Sequence, residues 1–496
     1  MKKYIFFPTW NDHWYDISIK LKEEKIAEPF LWIGDPKHFQ RAKIEFGEEV
    51  VKDRDFFVFK SHQISNTNYN GKFNDFFFST EYIITKDRAI KMMDRLDELS
   101  MMSRIDREAI FNNTVMWTLN KFEKKLPDAL IAIEHPHTHI QFTIFQICKY
   151  FNIQCVKFNS WLPIPVINLQ NVNTGELINR TIEFDDNIVN EYNSSFKKYI
   201  QNIYNKKDNY IANHIEIVKL RSNLASWKIQ NLISFVKDIF RKFKSKKAFE
   251  DSKRYNPVNP FKIDSFQKLR LIRKRRKNLE SSLNKNAKDD VSLDVKYVYF
   301  GLHYEPERTT LPDGGVFHDQ LLSIIKLRDI LPDNIKVYVK EHPSMFFKAL
   351  TGYKGRSPIF YDLIRNISGV TLVHHNVSTL ELIKNSIFTA TVTGTVGFES
   401  SILGKKSIIF GNSWYDGCPN TLKWNDDLSY AEIINAKVLK KEIIIEFFEN
   451  LFKEKCAIGF LNSRTEFRLA KYRFNGFEKI QFDGAYNLIS QFLTRL

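Results

Sequence analysis

The stretch Thr389–Phe410, TATVTGTVGFESSILGKKSIIF, limits what this chain can fold into more than any other. Ile387–Val392 is rich in apolar and β-branched residues, as a buried strand requires, and Ile408–Phe410 is apolar again. Between them Thr393-Gly394-Thr395 predicts a tight turn, and Gly397-Phe398-Glu399 opens a helix that closes at Gly404. Such a turn, with Val396 at its centre, aims backbone N–H groups and the positive end of a helix dipole at one point, where a phosphate can sit. The hydroxyls of Thr393 and Thr395 can add donors, and Glu399 can accept from sugar hydroxyls. An ordinary βαβ unit, with Glu399 complementing its own helix dipole, accounts for the same residues.

The same rhythm recurs along the chain. Tyr4–Pro8, Phe30–Ile33, Ala129–Ile133 and Cys155–Phe158 read as buried strands with helices between them. After a polar stretch over Ser281–Asp294, Tyr297–Phe300, Lys336–Lys340 and Val370–Val373 begin a second set. Two regions of parallel sheet are expected, and such sheets hold ligands at the carboxyl ends of their strands. Four turns therefore stand out. Thr9–His13, which contains Asp12, follows the first strand. Glu134-His135-Pro136-His137-Thr138-His139 follows Ala129–Ile133. Gly301–Glu307, with His303, follows Tyr297–Phe300, and Lys340-Glu341-His342-Pro343 follows the next strand. The remainder, Tyr430–Leu496, reads as helices with irregular joins.

Composition bounds the function classes. The chain has 496 residues, enough for two or three domains with ample core. Its four cysteines form no CxxC pair, which points to a reducing compartment without a disulfide or zinc framework. The apolar run near the N-terminus is too short for a signal peptide, and the longest uncharged run, Phe158–Gly175, is too polar and broken to span a membrane. A cytoplasmic protein is expected. The net charge of +16 is concentrated: Arg241–Lys277 holds fifteen Lys/Arg against three acidic residues. That patch suits an anionic membrane surface, and its aromatics are not interleaved as stacking platforms for nucleic acid. No nucleic-acid partner is expected. A solvated helical insertion explains the segment equally well.

Lys340-Glu341-His342-Pro343 stands about 50 residues before Thr393–Glu399, and Leu403-Gly404-Lys405 and Phe410-Gly411 follow. Together these residues resemble the capsular polysaccharide biosynthesis family, over about Tyr297–Tyr415. That family contains transferases that use CMP-activated 3-deoxy-manno-octulosonic acid (Kdo). The resemblance implies an α/β, GT-B fold: two Rossmann-like domains facing a cleft, with a basic helical insertion between them. The implied division is an acceptor domain over 1–185, the insertion over 186–295, a nucleotide-sugar domain over 296–470, and a C-terminal helix over 471–496 able to cross back to the first. His342 would contact the donor nucleotide or its phosphate and Pro343 would shape that turn. Thr393 and Thr395 would bond the phosphate, and Glu399 would hold ribose. Lys340, Glu341, His303, Glu307, Gly394, Val396 and Gly397 complete the donor-side set. This sequence has Thr-Gly-Thr where CMP-sugar enzymes of this kind have paired serines.

The implied activity is a glycosyltransferase of bacterial capsule or lipopolysaccharide synthesis. Its partners would be a nucleotide-sugar donor, CMP-Kdo or another CMP-ulosonic acid favoured, and a glycan or lipid-linked acceptor. The Arg241–Lys277 patch would make it peripheral on the inner membrane. No cofactor and no metal are expected, since backbone donors and His342 can stabilise the leaving phosphate. Asp12, Glu134, His135 and His137 are candidate bases for the acceptor hydroxyl. Two other readings remain: a polyol-phosphate transferase of teichoic-acid type on the same fold, and a metal-dependent hydrolase centred on His135, His137 and His139. The triplet Asp53-Arg54-Asp55 precedes an apolar run and reads as a charged loop.

Overall fold

The computed structural model describes residues 1–34, 36–52, 71, 73–95, 97, 101–161, 164–205, 265–306, 309–347, 350–461 and 476–496. The chain divides into two units: Met1–Met93 with Arg104–Ile200 and Ile445–Leu496, and Asp94–Ser103 with Gln201–Ile444. In chain order the strands of the first unit are β1 (Lys2–Phe7), β2 (Ala27–Gly34), β3 (Val50–Lys52), β4 (Ala129–Ala132), β5 (Gln154–Trp161) and β6 (Val166–Asn171). The second unit has β7 (Tyr297–Gly301), β8 (Lys336–Lys340), β9 (Val370–Val373), β10 (Thr389–Thr391), β11 (Ser407–Ile409) and β12 (Thr421–Lys423). β13 (Cys456–Ile458) belongs to the first unit again.

Both sheets obey one rule of order. The second runs β12-β11-β10-β7-β8-β9 and is parallel throughout. Counted from its own first strand, this is the 3-2-1-4-5-6 order of a doubly wound dinucleotide fold. The first runs β13-β6-β5-β4-β1-β2-β3, parallel from β3 to β5, with β6 and β13 added antiparallel. Both faces of such a sheet are covered, so its strands are continuously apolar. Tyr4, Ile5, Phe6 and Phe7 of β1 and Tyr297, Val298, Tyr299 and Phe300 of β7 are all at most 2% exposed. Two Rossmann-like α/β units are the architecture that a GT-B chain requires.

Two elements depart from the sequence reading. β13 lies where only helices and irregular joins are expected. Three residues directly after a helix are too few to show a strand period. The first helix spans His13–Glu23, so His13 starts a helix instead of ending a turn. The C-terminal helix Phe477–Thr494 gives Ala485, Leu488, Ile489, Phe492 and Leu493 to the core that holds Tyr4, Phe6, Trp14 and Trp32.

Residues 241–264 of the basic segment, and Asp53-Arg54-Asp55, lie outside the described residues. From Ser265 the segment is the helix Ser265–Asn286. Leu279 and Leu283 on this helix join the core of the second unit with Val298, Phe300 and Val337. Ile272 packs with Tyr353 and Met101, and Arg276 donates to the Leu350 carbonyl at 2.7 Å. Arg270, Leu271, Arg273, Lys274 and Lys277 are exposed. No helix among the described residues is long and apolar enough to cross a membrane.

Leu283→Ala removes a fully buried anchor of the basic helix. It is expected to cost about 2–5 kcal/mol in urea unfolding, whereas Leu271→Ala on the exposed side should stay within about 0.5 kcal/mol.

Candidate functional site

In a 3-2-1-4-5-6 sheet the ligand crevice opens at the carboxyl edge, where strand order reverses, which here is between β7 and β10. The segments that leave this edge are those after β7, β8 and β10, and they carry His303, Lys340–Pro343 and Thr393–Gly397. A buried network ties them together. Glu341 is 0% exposed and spends both oxygens inside the protein. Oε1 accepts from the His342 amide at 2.7 Å, and Oε2 accepts from Arg356 Nε at 3.2 Å and the Tyr361 hydroxyl at 2.8 Å. Arg356 also donates to the His303 carbonyl at 2.8 Å. Burial alone would weaken the guanidinium charge, but Glu341, then Glu305 and Tyr361, more than offset it, so Arg356 is held above its usual range. Burial and Glu341 push the Tyr361 hydroxyl well above its usual value. Glu341 thus holds the two loops instead of offering a free carboxylate to a ligand.

His303 closes the network on the other side. Gln320 accepts from its amide at 2.8 Å and donates to Glu305 at 2.9 Å. Its ring Nε2 accepts from the Thr393 amide at 2.9 Å, which puts the neutral ring's proton on Nδ1. Burial, then His342 and Arg356, push this imidazole down to about 3. The Thr393 hydroxyl donates to the Thr309 carbonyl at 2.9 Å, and the Gly394 amide donates to Thr391 Oγ1 at 3.3 Å. Thr393 and His303 therefore shape the turn, and their polar atoms serve it.

What the turn leaves available is one residue further on. The helix runs from Thr395 to Ile402, with Gly394 as its N-cap and no side-chain cap bond. Among the described residues no backbone partner occurs for the Thr395 and Val396 amides, and Thr395 is exposed. A Cβ at Gly394 would come within 2.7 Å of Thr391 Oγ1, so only glycine fits there. A Cβ at Gly397 would run into Ile409 and the Tyr415 hydroxyl, which itself donates to the Gly394 carbonyl.

Two cationic or proton-bearing groups stand at the end of β8 on the same sheet edge. Lys340, 4% exposed, donates to Thr379 Oγ1 at 2.6 Å. Burial pulls it down to about 8, and Glu399 on the Thr395–Ile402 helix opposes that shift. His342 accepts from the Ser344 amide at its Nδ1, 3.2 Å away, so the neutral ring presents an Nε2–H. It caps the short turn Pro343–Phe346. His375, after β9, is pushed down to about 4 by burial, His374 and Lys340. Glu307 lies outside the described residues.

The first unit repeats this arrangement with different groups. Asp12 is more than half exposed and stands 3.4 Å from His38 Nε2. His13 is half-buried, bonded to Gln481 at 2.8 Å, and pushed by desolvation down to about 3. Glu134, His135 and His137 are half-buried after β4, beside Lys157 of β5. His139 lies inside the helix His139–Tyr150, and burial pushes it to about 3. The three histidines do not converge, and among the described residues no group of three or more His, Cys, Asp or Glu is placed to hold a metal ion. Arg356, Tyr361, Gln320, Thr379, Tyr415 and Lys157 were not singled out from sequence.

Residues 316–441 match the family model described as capsule polysaccharide biosynthesis protein. Over that stretch the family resemblance of the Lys340–Pro343 and Thr393–Glu399 motifs is borne out. No curated protein matches the chain. Among solved structures the chain is similar to the beta Kdo 2,4 transferase of Thermosulfurimonas dismutans KpsC, with 10% identity, 65% of this chain and 78% of that one covered, and a TM-score of 0.26. The beta Kdo 2,7 transferase of the same KpsC gives 12%, 71%, 90% and 0.25. UDP-GlcNAc 2-epimerase from Methanocaldococcus jannaschii gives 11%, 95%, 99% and 0.21. At these TM-scores the likenesses carry no argument, and the fold rests on the strand orders.

Arg356→Met leaves the Glu341 charge buried without its partner and is expected to cost about 3–5 kcal/mol in denaturant unfolding. Tyr361→Phe, which removes one bond to the same carboxylate, should cost about 1–3 kcal/mol. The unfolded chain protonates histidine near pH 6.5, but folded His303 does so only near 3. Between those values the unfolded state binds more protons, so stability rises with pH through that window and falls as acid is added. The denaturation midpoint should drop from pH 7 to pH 5. His303→Asn keeps an acceptor for the Thr393 amide and should flatten that slope.

Proposed function

We propose that this chain transfers a sugar from a nucleotide-activated donor during synthesis of a capsule or related surface polysaccharide. The family stretch at residues 316–441 supports the pathway. The observation that supports the donor assignment is that three features leave the carboxyl edge of the second sheet, on the segments after β8 and β10. These are the Thr395 and Val396 amides at a helix N-terminus, the buried Lys340 ammonium, and the His342 Nε2–H.

The chemistry follows from those groups. When the sugar–phosphate bond breaks, negative charge grows on the nucleotide phosphate. Fixed donors in a shielded site stabilise that charge without reorganising. The two amides and the helix dipole supply backbone donors, Lys340 supplies a charge, and His342 can donate to the leaving oxygen. Glu399 is near enough to Lys340 to tune its charge and lies on the same helix as the amides, where it can accept from ribose hydroxyls. Thr393 acts through the turn, so the direct threonine contact falls to Thr395. CMP-Kdo or another CMP-ulosonic acid is the favoured donor, and a glycan or lipid-linked glycan is the acceptor. The exposed Arg270, Arg273, Lys274 and Lys277 suit an anionic inner-membrane surface, where such acceptors sit.

A thermal-shift panel of CMP, CDP, UDP and GDP tests the donor site. One nucleotide should raise the melting temperature, by roughly 2.7 kcal/mol of stabilisation at a hundredfold excess over its dissociation constant. Lys340→Met and His342→Ala should each weaken that nucleotide at least tenfold. Unchanged affinity in both variants would remove the donor-site assignment, and turnover of CDP-glycerol instead of a nucleotide-sugar would move the chain to the polyol-phosphate class.

A further inference from the structure

Lys340 closes β8 with its side chain turned into the protein, and a single hydroxyl receives it. The residue is 4% exposed, and Nζ donates to Thr379 Oγ1 at 2.6 Å. Among the described residues no other acceptor bonds this ammonium. An ammonium carries three N–H donors, so two of them have no protein acceptor there. A buried charge in that condition either gives up its proton or gains an anion.

The hydroxyl stands in an awkward place for a cation. Thr379 opens the helix Thr379–Asn385, and a helix N-terminus disfavours positive charge. Burial pulls Lys340 down to about 8, and Glu399 opposes that shift. The charged and titratable groups facing Lys340 are Glu399 on the Thr395–Ile402 helix, His375 after β9, and Tyr299 of β7. Burial, His374 and Lys340 hold His375 near 4, and burial, opposed by a bond from Thr379, raises Tyr299 above its ordinary value. Neither changes charge near pH 8, so a transition there belongs to Lys340.

We infer that Thr379 is a positioning residue of the donor site: its hydroxyl keeps Lys340 protonated and fixes the ammonium for a nucleotide phosphate, so that nucleotide binding is tied to the proton on Lys340. This rests on the donor-site reading above. Thr379 acts through Lys340 and needs no contact with the nucleotide. When Nζ loses its proton it can accept, the Thr379 hydroxyl can turn to donate to it, and the positive charge is gone from the sheet edge. Affinity for a phosphate is therefore full below the titration of Lys340 and declines above it. Removing the hydroxyl leaves the ammonium with less support, which moves that decline to lower pH.

Two measurements test it. In protein labelled with 13C,15N-lysine, the Lys340 Cε signal, identified by its loss in Lys340→Met, should titrate near 8 in the wild type. It should titrate about half a pH unit or more lower in Thr379→Val, and close to the wild-type value in Thr379→Ser, which keeps the hydroxyl. A wild-type ammonium that titrates at the ordinary lysine value, or one that Thr379→Val leaves unmoved, overturns the inference whatever the protein binds. The second measurement is calorimetric titration with CMP, CDP, UDP and GDP. The nucleotide that binds should lose roughly tenfold in affinity between pH 7 and pH 9 in the wild type. Thr379→Val should start that loss at lower pH and approach wild-type affinity at pH 6, whereas Lys340→Arg, whose charge does not titrate in this range, should show no such loss. A nucleotide bound by the wild type with no decline from pH 7 to pH 9, or by Thr379→Val with the wild-type profile, rejects the role of Thr379 and leaves the donor site standing. A wild-type chain that binds none of the four nucleotides rejects the donor-site reading, and this inference with it.

Discussion

The carboxylate of Glu341 is the constraint on which the second unit's edge depends. It is a charge with no access to water, and it is tolerable only because Arg356, Tyr361 and the His342 amide all point at it. Each of those partners belongs to a different piece of chain. Satisfying one buried oxygen pair therefore positions the end of β8, the loop of Arg356 and the helix that carries Tyr361 together. Through Arg356 the same charge reaches the His303 carbonyl, and through the His303 ring it reaches the Thr393 amide. The turn before the Thr395–Ile402 helix is thus rigid because every polar group behind it is already bonded. That frees the two amides in front of it for something else.

The two sheet edges share a strand logic but not a chemistry. The second presents backbone amides, a buried lysine and a histidine donor, all suited to negative charge. The first presents paired histidines with a carboxylate and a lysine. One fold supplies both because a doubly wound sheet dictates only where side chains emerge, and the loops decide what they do.

Much of this could be read from residues alone. Thr389–Phe410 was legible because an apolar strand, small residues and a glycine stop agree on one local structure, and Gly404 does adopt the left-handed conformation such a stop uses. The helix still starts two residues earlier than Gly397, since Gly394 is forced into the cap by its contact with Thr391. Lys340–Pro343 was legible as a strand end. The partners of Glu341 were not, because Arg356 and Tyr361 lie 15 and 20 residues away in loop and helix that carry no local sign of a buried carboxylate. Lys157 was hidden for a related reason: within an otherwise apolar strand, sequence does not tell an inward lysine from an outward one. Thr393 was assigned to a ligand when its hydroxyl and amide are both used by neighbours, a distinction that only tertiary contacts reveal.

The return of the chain to the first unit has a consequence for biogenesis. β13 extends the sheet from β6, and Phe477–Thr494 completes the core around Trp14 and Trp32. Every residue of the second unit precedes Ile445. As the polypeptide leaves the ribosome, the later unit can therefore finish folding while the earlier one still waits, its apolar face uncovered, for the last fifty residues. The first unit is thus begun first and completed last, after every residue of the second has been made.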